Sequence, residues 1–161
     1  RPRDRDGVDY HFVTREAFET MIAAEEFLEH ALVFGNYYGT SRRWIERQMA
    51  EGHDVLLEID WQGAAQVRKM FAGATGIFIM PPSLEVLRER LTKRGMDSAE
   101  TIATRLAGAR QEIAHVFEFE YIIVNDRFED AAAALASIVR AKRVSREAIR
   151  PNIESIIQQF R

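Results

Sequence analysis

A chain of 161 residues, 47% apolar and 29% charged, can bury one core unaided and has neither a disordered nor a membrane composition. Its net charge of −3 gives no electrostatic reason to expect a nucleic-acid partner, and the absence of cysteine excludes disulfides and thiolate metal sites. No apolar run approaches a membrane span, and no apolar leader core follows the basic first residues, so a cytoplasmic protein without a membrane partner is expected. The charge is uneven. Between Arg88 and Arg110 lie six basic residues (Arg88, Arg90, Lys93, Arg94, Arg105, Arg110) against Glu89, Asp97 and Glu100. Only Lys69, Lys93 and Lys142 of the 22 basic residues are lysines. Arginine's planar fork suits bidentate phosphate recognition, although solvated helix faces account for most of these residues.

In chain order, Tyr10 to Val13 reads as a short strand, and Thr14 caps a helix with Phe18, Met21 and Ile22 at helical spacing. Phe27 to Phe34 and Tyr37-Tyr38 read as two strands turning at Gly35-Asn36. Ser41 caps a helix to about Glu51, stopped by Gly52. Val55 to Asp60 has the pattern of a strand buried on both faces, followed by a helix from about Gln62 to Met70. A second such run is Ile77 to Met80, then Pro81-Pro82 and a helix capped by Ser83 with Leu84, Leu87 and Leu91 on one stripe. Ser98 starts a helix carrying Ile102, Leu106, Ala109 and Ile113; Tyr121 to Val124 is a third buried run, and Leu135, Ile138 and Val139 mark a closing helix. Strands alternating with helices argue for an α/β fold with a parallel sheet. The basic tail from Arg140 is helix-compatible.

Ligands of parallel sheets bind at the carboxyl ends of strands. One run here ends in Glu58-Ile59-Asp60-Trp61-Gln62-Gly63 and another in Asn125-Asp126. Alternation puts Glu58 and Asp60 on one side, as a pair near a metal-bound phosphate or as plain caps of the strand end. A P-loop requires Gly-Lys-[Ser/Thr], and none of the three lysines follows a glycine: Lys69 follows Arg68, Lys93 follows Thr92 and Lys142 follows Ala141. These 161 residues therefore contain no P-loop.

The first forty residues are the most distinctive. Arg1-Pro2-Arg3-Asp4-Arg5-Asp6-Gly7-Val8-Asp9-Tyr10-His11-Phe12 leads to Phe27-Leu28-Glu29 and then to Phe34-Gly35-Asn36-Tyr37-Tyr38-Gly39-Thr40-Ser41. This segment resembles the GMP-binding region of the guanylate kinase family. The likeness continues through Leu57-Glu58-Ile59-Asp60-Trp61-Gln62-Gly63, Pro81-Pro82-Ser83, the lid around Arg94-Gly95 and Asp97-Ser98, and Ile123-Val124-Asn125-Asp126. It implies a nucleoside monophosphate kinase fold with helices on both faces of a parallel sheet, a small β-rich GMP-binding subdomain and a helical lid. It divides the chain into 1–41 (GMP-binding), 42–87 (core), 88–113 (lid), 114–143 (core) and 144–161 (helical tail).

The resemblance also implies roles. Glu29 matches the acid that reads guanine, since two carboxylate oxygens meet the two parallel donors of guanine's Watson–Crick edge and adenine lacks that pair. Thr40 offers a hydroxyl to guanine, and Asp60 is similar to an acid near the guanine edge. Tyr10 and Tyr38 look like the phenols that bond the GMP phosphate, and Arg1 matches one arginine of its clamp. Asp4 stands at a family glutamate position, with Arg3 replacing a glycine. Arg90, Arg94 and Arg105 match three arginines directed at the transferring phosphoryl group; Arg110 has no counterpart. Asn125 resembles a residue on the adenine side of ATP, and Glu58 one that holds Mg²⁺ through water. Gly63 is expected to let backbone approach nucleotide.

The activity implied is transfer of the γ-phosphoryl of ATP to GMP with Mg²⁺, giving GDP and ADP. The chain begins without Met, and without a P-loop it is expected to be a fragment inactive alone. The alternative is a guanylate-kinase-like scaffold module that binds protein without catalysis. A homo-oligomer is compatible with the sequence, which does not fix the oligomeric state.

Overall fold

A computed structural model of the chain describes residues 4–95 and 97–161, the side chain of Asn152 excepted. Arg1 and Arg3 lie outside the described residues. The chain divides into two compact units, Arg1–Gly76 and Ile77–Arg161, with a boundary inside the segment 42–87.

The first unit is built on a hairpin. Helix α1 (Arg15–Ala23) begins where the Thr14 hydroxyl accepts the Ala17 amide at 3.2 Å. Strands β1 (Phe27–Val33) and β2 (Asn36–Ser41) pair antiparallel. Their turn is Phe34-Gly35, with φ of 48° and 81°, one residue earlier than the Gly-Asn dipeptide suggests. Two successive positive φ values match the twist of the strands, and glycine supplies the second without steric cost.

A register shift between Phe27 and Glu29 is a β-bulge, and it leaves Phe27, Leu28 and Glu29 all buried. Beyond it the strands alternate. Tyr37 and Gly39 turn to α1, where Phe18 stacks on Phe27 at 4.4 Å and on Tyr37 at 5.2 Å. A Cβ on Gly39 would come within 2.7 Å of the Phe27 ring, so glycine makes that stack fit. Tyr38 and Thr40 face the other way, on the side of Glu29.

Helix α2 (Arg42–Ala50) is capped by Ser41 and ends at Gly52, as expected. Helix α3 (Trp61–Met70) is capped by Asp60. Leu28, Ile45 and Val67 form the core of this unit, with Val55, Leu57 and Ile59 packed against it. Val55–Asp60 is thus extended but half-exposed. Alternate residues face the core, Leu56 is 63% exposed, and no described strand pairs with the segment. The expected strand Tyr10–Val13 is also absent. Tyr10 makes only an isolated bridge to Asp6, because the loop is closed instead by side chains: Asp9 accepts the Arg5 amide and Asp6 accepts the Phe12 amide, both at 2.8 Å.

The second unit runs β3 (Ile77–Met80), α4 (Leu84–Arg94), α5 (Ala99–Glu112), a 3₁₀ turn (Ile113–Glu118), β4 (Tyr121–Val124), α6 (Phe128–Arg143) and α7 (Arg146–Gln158). Ser83 and Ser98 cap α4 and α5 as expected, and Gly95 ends α4 at φ 65°. Strands β3 and β4 pair in parallel from Ile77 and Tyr121 to Met80 and Val124. Neither is buried on both faces: Ile79, Ile122 and Val124 are exposed and Ile123 is buried. The tail is helical.

Candidate functional site

In the first unit the chemistry gathers on the open face of the hairpin and at the start of α3. Glu29 is 4% exposed, the one buried charged side chain among the described residues. Its ladder partner is Thr40, whose hydroxyl donates to Glu29 Oε1 at 2.5 Å. Glu29 lies beside the first turn of α3, its Oε2 against the Cβ direction of Gly63. Burial raises the Glu29 pKa, the Thr40 hydroxyl opposes that, and the nearby Asp60 carboxylate adds to it.

Asp60 works as the cap of α3. Its Oδ1 accepts the Gly63 amide at 2.9 Å and its Oδ2 accepts the Gln62 side-chain amide at 2.9 Å. The cap is thus of the helix start, where the sequence alone allowed a plain cap of the strand end. No local pattern marks Gln66 of α3, whose side-chain amide accepts the His30 N–H at 3.1 Å and donates to the His30 carbonyl at 2.7 Å. This two-point bond fixes β1 to α3 one residue from Glu29.

Tyr10 and Tyr38 are distant in sequence but meet edge to face at 5.8 Å. Both are exposed, at 47% and 43%, so their phenols face outward rather than filling a core. Glu58 is exposed, with no hydrogen bond or ion pair to a described residue. The site thus holds Glu29, Thr40 and Asp60 together and Tyr10 with Tyr38, while Arg1 lies outside the described residues.

In the second unit the three arginines differ in what holds them. Arg90 donates to the carbonyls of Asn125 at 2.6 Å and Asp126 at 2.8 Å, bridging α4 to the carboxyl end of β4. Helical spacing put Arg90 and Arg94 on one face but could not reveal this bridge, which joins residues 35 and 36 positions apart. Asn125 is further tied by its backbone N–H, which donates to the Met80 carbonyl at 2.7 Å. Arg94, in the last turn of α4, is exposed and makes no side-chain bond or ion pair to a described residue. Arg105 of α5 pairs with Asp97 at 3.3 Å.

Comparison with known proteins covers nearly all of these elements. The family model described as guanylate kinase matches residues 1–142. The guanylate kinase of Vibrio parahaemolyticus is 55% identical over 147 residues, 91% of this chain and 71% of that protein. That of Saccharophagus degradans is 51% identical over 160 residues, 99% of this chain and 78% of the relative. The crystal structure of guanylate kinase from Anaplasma phagocytophilum superposes with a TM-score of 0.80 at 38% identity, covering 96% of this chain and 78% of that one.

Proposed function

The chain belongs to the guanylate kinase family, the enzymes that move a phosphoryl group from ATP to GMP, and we propose how its residues divide that work. Relatives named as the kinase at half identity or more favour catalysis over a scaffold role.

Glu29 reads guanine. Its two oxygens accept the ring N–H and the exocyclic amine. Thr40 orients the carboxylate by donating its one hydroxyl proton to it, and donation to guanine O6 requires that hydroxyl to turn from Glu29 when GMP binds. The supporting observation is a carboxylate held in place at 4% exposure with no cation among the described residues bonded to it. Burying a charge is costly unless a partner compensates, and a ligand with two parallel donors is such a partner. Asp60 presents the start of α3 to the same edge. Tyr10 and Tyr38 bond the GMP phosphate, with Arg1 completing the clamp.

Arg94 and Arg105 neutralise charge on the transferring phosphoryl group, where positioning and electrostatics supply most of the catalysis. Arg90 belongs with them by position, and its bonds to Asn125 and Asp126 support a second task, holding the loop on the adenine side of ATP. Mg²⁺ arrives as part of the substrate, bound to ATP. Among the described residues no group of three His, Cys, Asp or Glu side chains could hold a metal. Glu58 is the carboxylate we assign to it, acting through water. The lid spans 88–113, the GMP-binding subdomain 1–41, core segments 42–87 and 114–143, and the tail 144–161. No described helix is long and apolar enough to cross a membrane; the cytoplasmic setting is our reading from the family.

The test is GDP formation by the full-length enzyme in a coupled assay with GMP and AMP as competing acceptors. A clear preference for GMP that Glu29→Gln abolishes supports the assignment. A preference that survives the substitution removes Glu29 from the base site.

A further inference from the structure

Gly63 stands at the third position of α3, where glycine has no local justification. It is a poorer helix former than alanine. Its φ is not positive, unlike those of Gly7, Gly35, Gly52 and Gly95, so the backbone does not require it. What it provides is space. A Cβ at this position would lie 2.5 Å from Glu29 Oε2, 3.2 Å from Glu29 Cδ and 3.3 Å from Ile59 Cβ.

Glu29 has little room to yield. Its side chain is buried, Thr40 holds Oε1 at 2.5 Å, and Gln66 clamps the next residue's backbone to α3 from two sides. Gly63 is equally fixed, its amide bonded to the Asp60 cap. A methyl group at 63 and the present carboxylate position therefore exclude each other.

We propose that Gly63 is a positioning residue for substrate specificity: its missing side chain lets the Glu29 carboxylate lie against α3, aimed at the two guanine donors. This rests on the reading of Glu29 as the base reader. It differs from the expectation that Gly63 lets backbone approach nucleotide, since the space where its Cβ would stand is taken by Glu29. A carboxylate displaced by even part of an ångström loses one of two parallel bonds, and discrimination against adenine falls with it.

The experiment compares Gly63→Ala, Glu29→Gln and the double variant in the full-length enzyme, reading KM for GMP, KM for ATP and the melting temperature. Gly63→Ala is expected to raise KM for GMP about tenfold or more, the scale of one lost charged hydrogen bond, with KM for ATP little changed. The double variant should be no worse than Glu29→Gln alone, and adding Glu29→Asp to Gly63→Ala should recover part of the loss by shortening the acid. If Glu29→Gln raises KM for GMP but Gly63→Ala does not, the role of Gly63 is overturned and the base reader stands. If Glu29→Gln has no effect, the base reader itself falls. Effects of the two that multiply would place Gly63 in a separate function and overturn the proposal. Should Gly63→Ala melt below assay temperature, Gly63→Ala with Glu29→Ala decides. Recovered folding supports the clash with Glu29, and continued failure overturns it.

Discussion

Thr40 donates its hydroxyl to Glu29 Oε1 at 2.5 Å, between two residues that are also direct partners in the β1–β2 ladder. The hairpin register therefore sets the geometry of the acid. A one-residue slip would turn Thr40 to the opposite face, toward Phe18. The bulge before Glu29 serves the same end, because it brings Leu28 into the core while Glu29 stays beside α3.

Thr40→Val keeps the shape and removes the donor. Because the Thr40 bond lowers the Glu29 pKa, its loss should raise that pKa further and weaken GMP binding by ~1.5–3 kcal/mol, the range for hydrogen bonds to charged groups. Calorimetric titration checks the affinity, and Thr40→Ser, which retains the hydroxyl, should restore most of it.

The pH dependence follows from the same acid. The Glu29 pKa is raised in the folded chain, first by burial and then by Asp60. The folded state consequently holds the proton to higher pH than the unfolded one, so its stability falls as pH rises from the ordinary glutamate range through the raised value. GMP binding runs the opposite way, because the guanine donors need the ionised acid, and affinity is lost as pH falls through that value. GMP's own phosphate titrates near pH ~6, so the contribution of Glu29 is the difference between wild type and Glu29→Gln. Melting curves and titrations across this window should show opposite slopes that both flatten in the variant.

Much of this was legible in the sequence. Thr14, Ser41, Ser83 and Ser98 announce their helices because a cap is a local bond between residues three apart. Tyr38 and Thr40 share the open face of the hairpin because alternation sends every second residue to one side. What sequence could not show depends on distant partners. The bridge from Arg90 to Asn125 and Asp126, the Gln66 clamp and the contact of Gly63 with Glu29 have no local signature. Val55–Asp60 differs from its expected strand for a related reason: its run of apolar residues says buried, but a ladder needs a neighbour, and here one face packs on Leu28 and Ile45 while Leu56 stays exposed.

The arginines of the second unit should separate by kinetics. Arg94→Ala and Arg105→Ala are expected to depress kcat by a factor of ten or more, roughly the effect of ~1.4 kcal/mol or more of lost transition-state stabilisation, with GMP affinity nearly unchanged. Arg90→Lys cannot bridge two carbonyls with a planar fork, so it should raise KM for ATP and loosen Asn125 and Asp126 in hydrogen exchange. Near-normal turnover in the first two variants would leave Arg94 as a solvated helix face and Arg105 as the structural partner of Asp97.

Leu28 supports the site from below, packed with Ile45 and Val67. Leu28→Ala should cost ~2–5 kcal/mol of stability, the usual scale for a buried leucine truncated to alanine. Chemical denaturation checks the loss, and GMP affinity measured well below the melting temperature should change less than in Thr40→Val.

The central claim is that a buried carboxylate chooses guanine. Its most direct measurement is calorimetric titration of GMP and AMP into wild-type and Glu29→Gln full-length protein at neutral pH. An amide offers one acceptor oxygen where two donors arrive, so GMP affinity should fall about tenfold or more while the weaker AMP affinity stays constant or improves. Equal GMP affinity in the two proteins would contradict the account and place base recognition elsewhere in the chain.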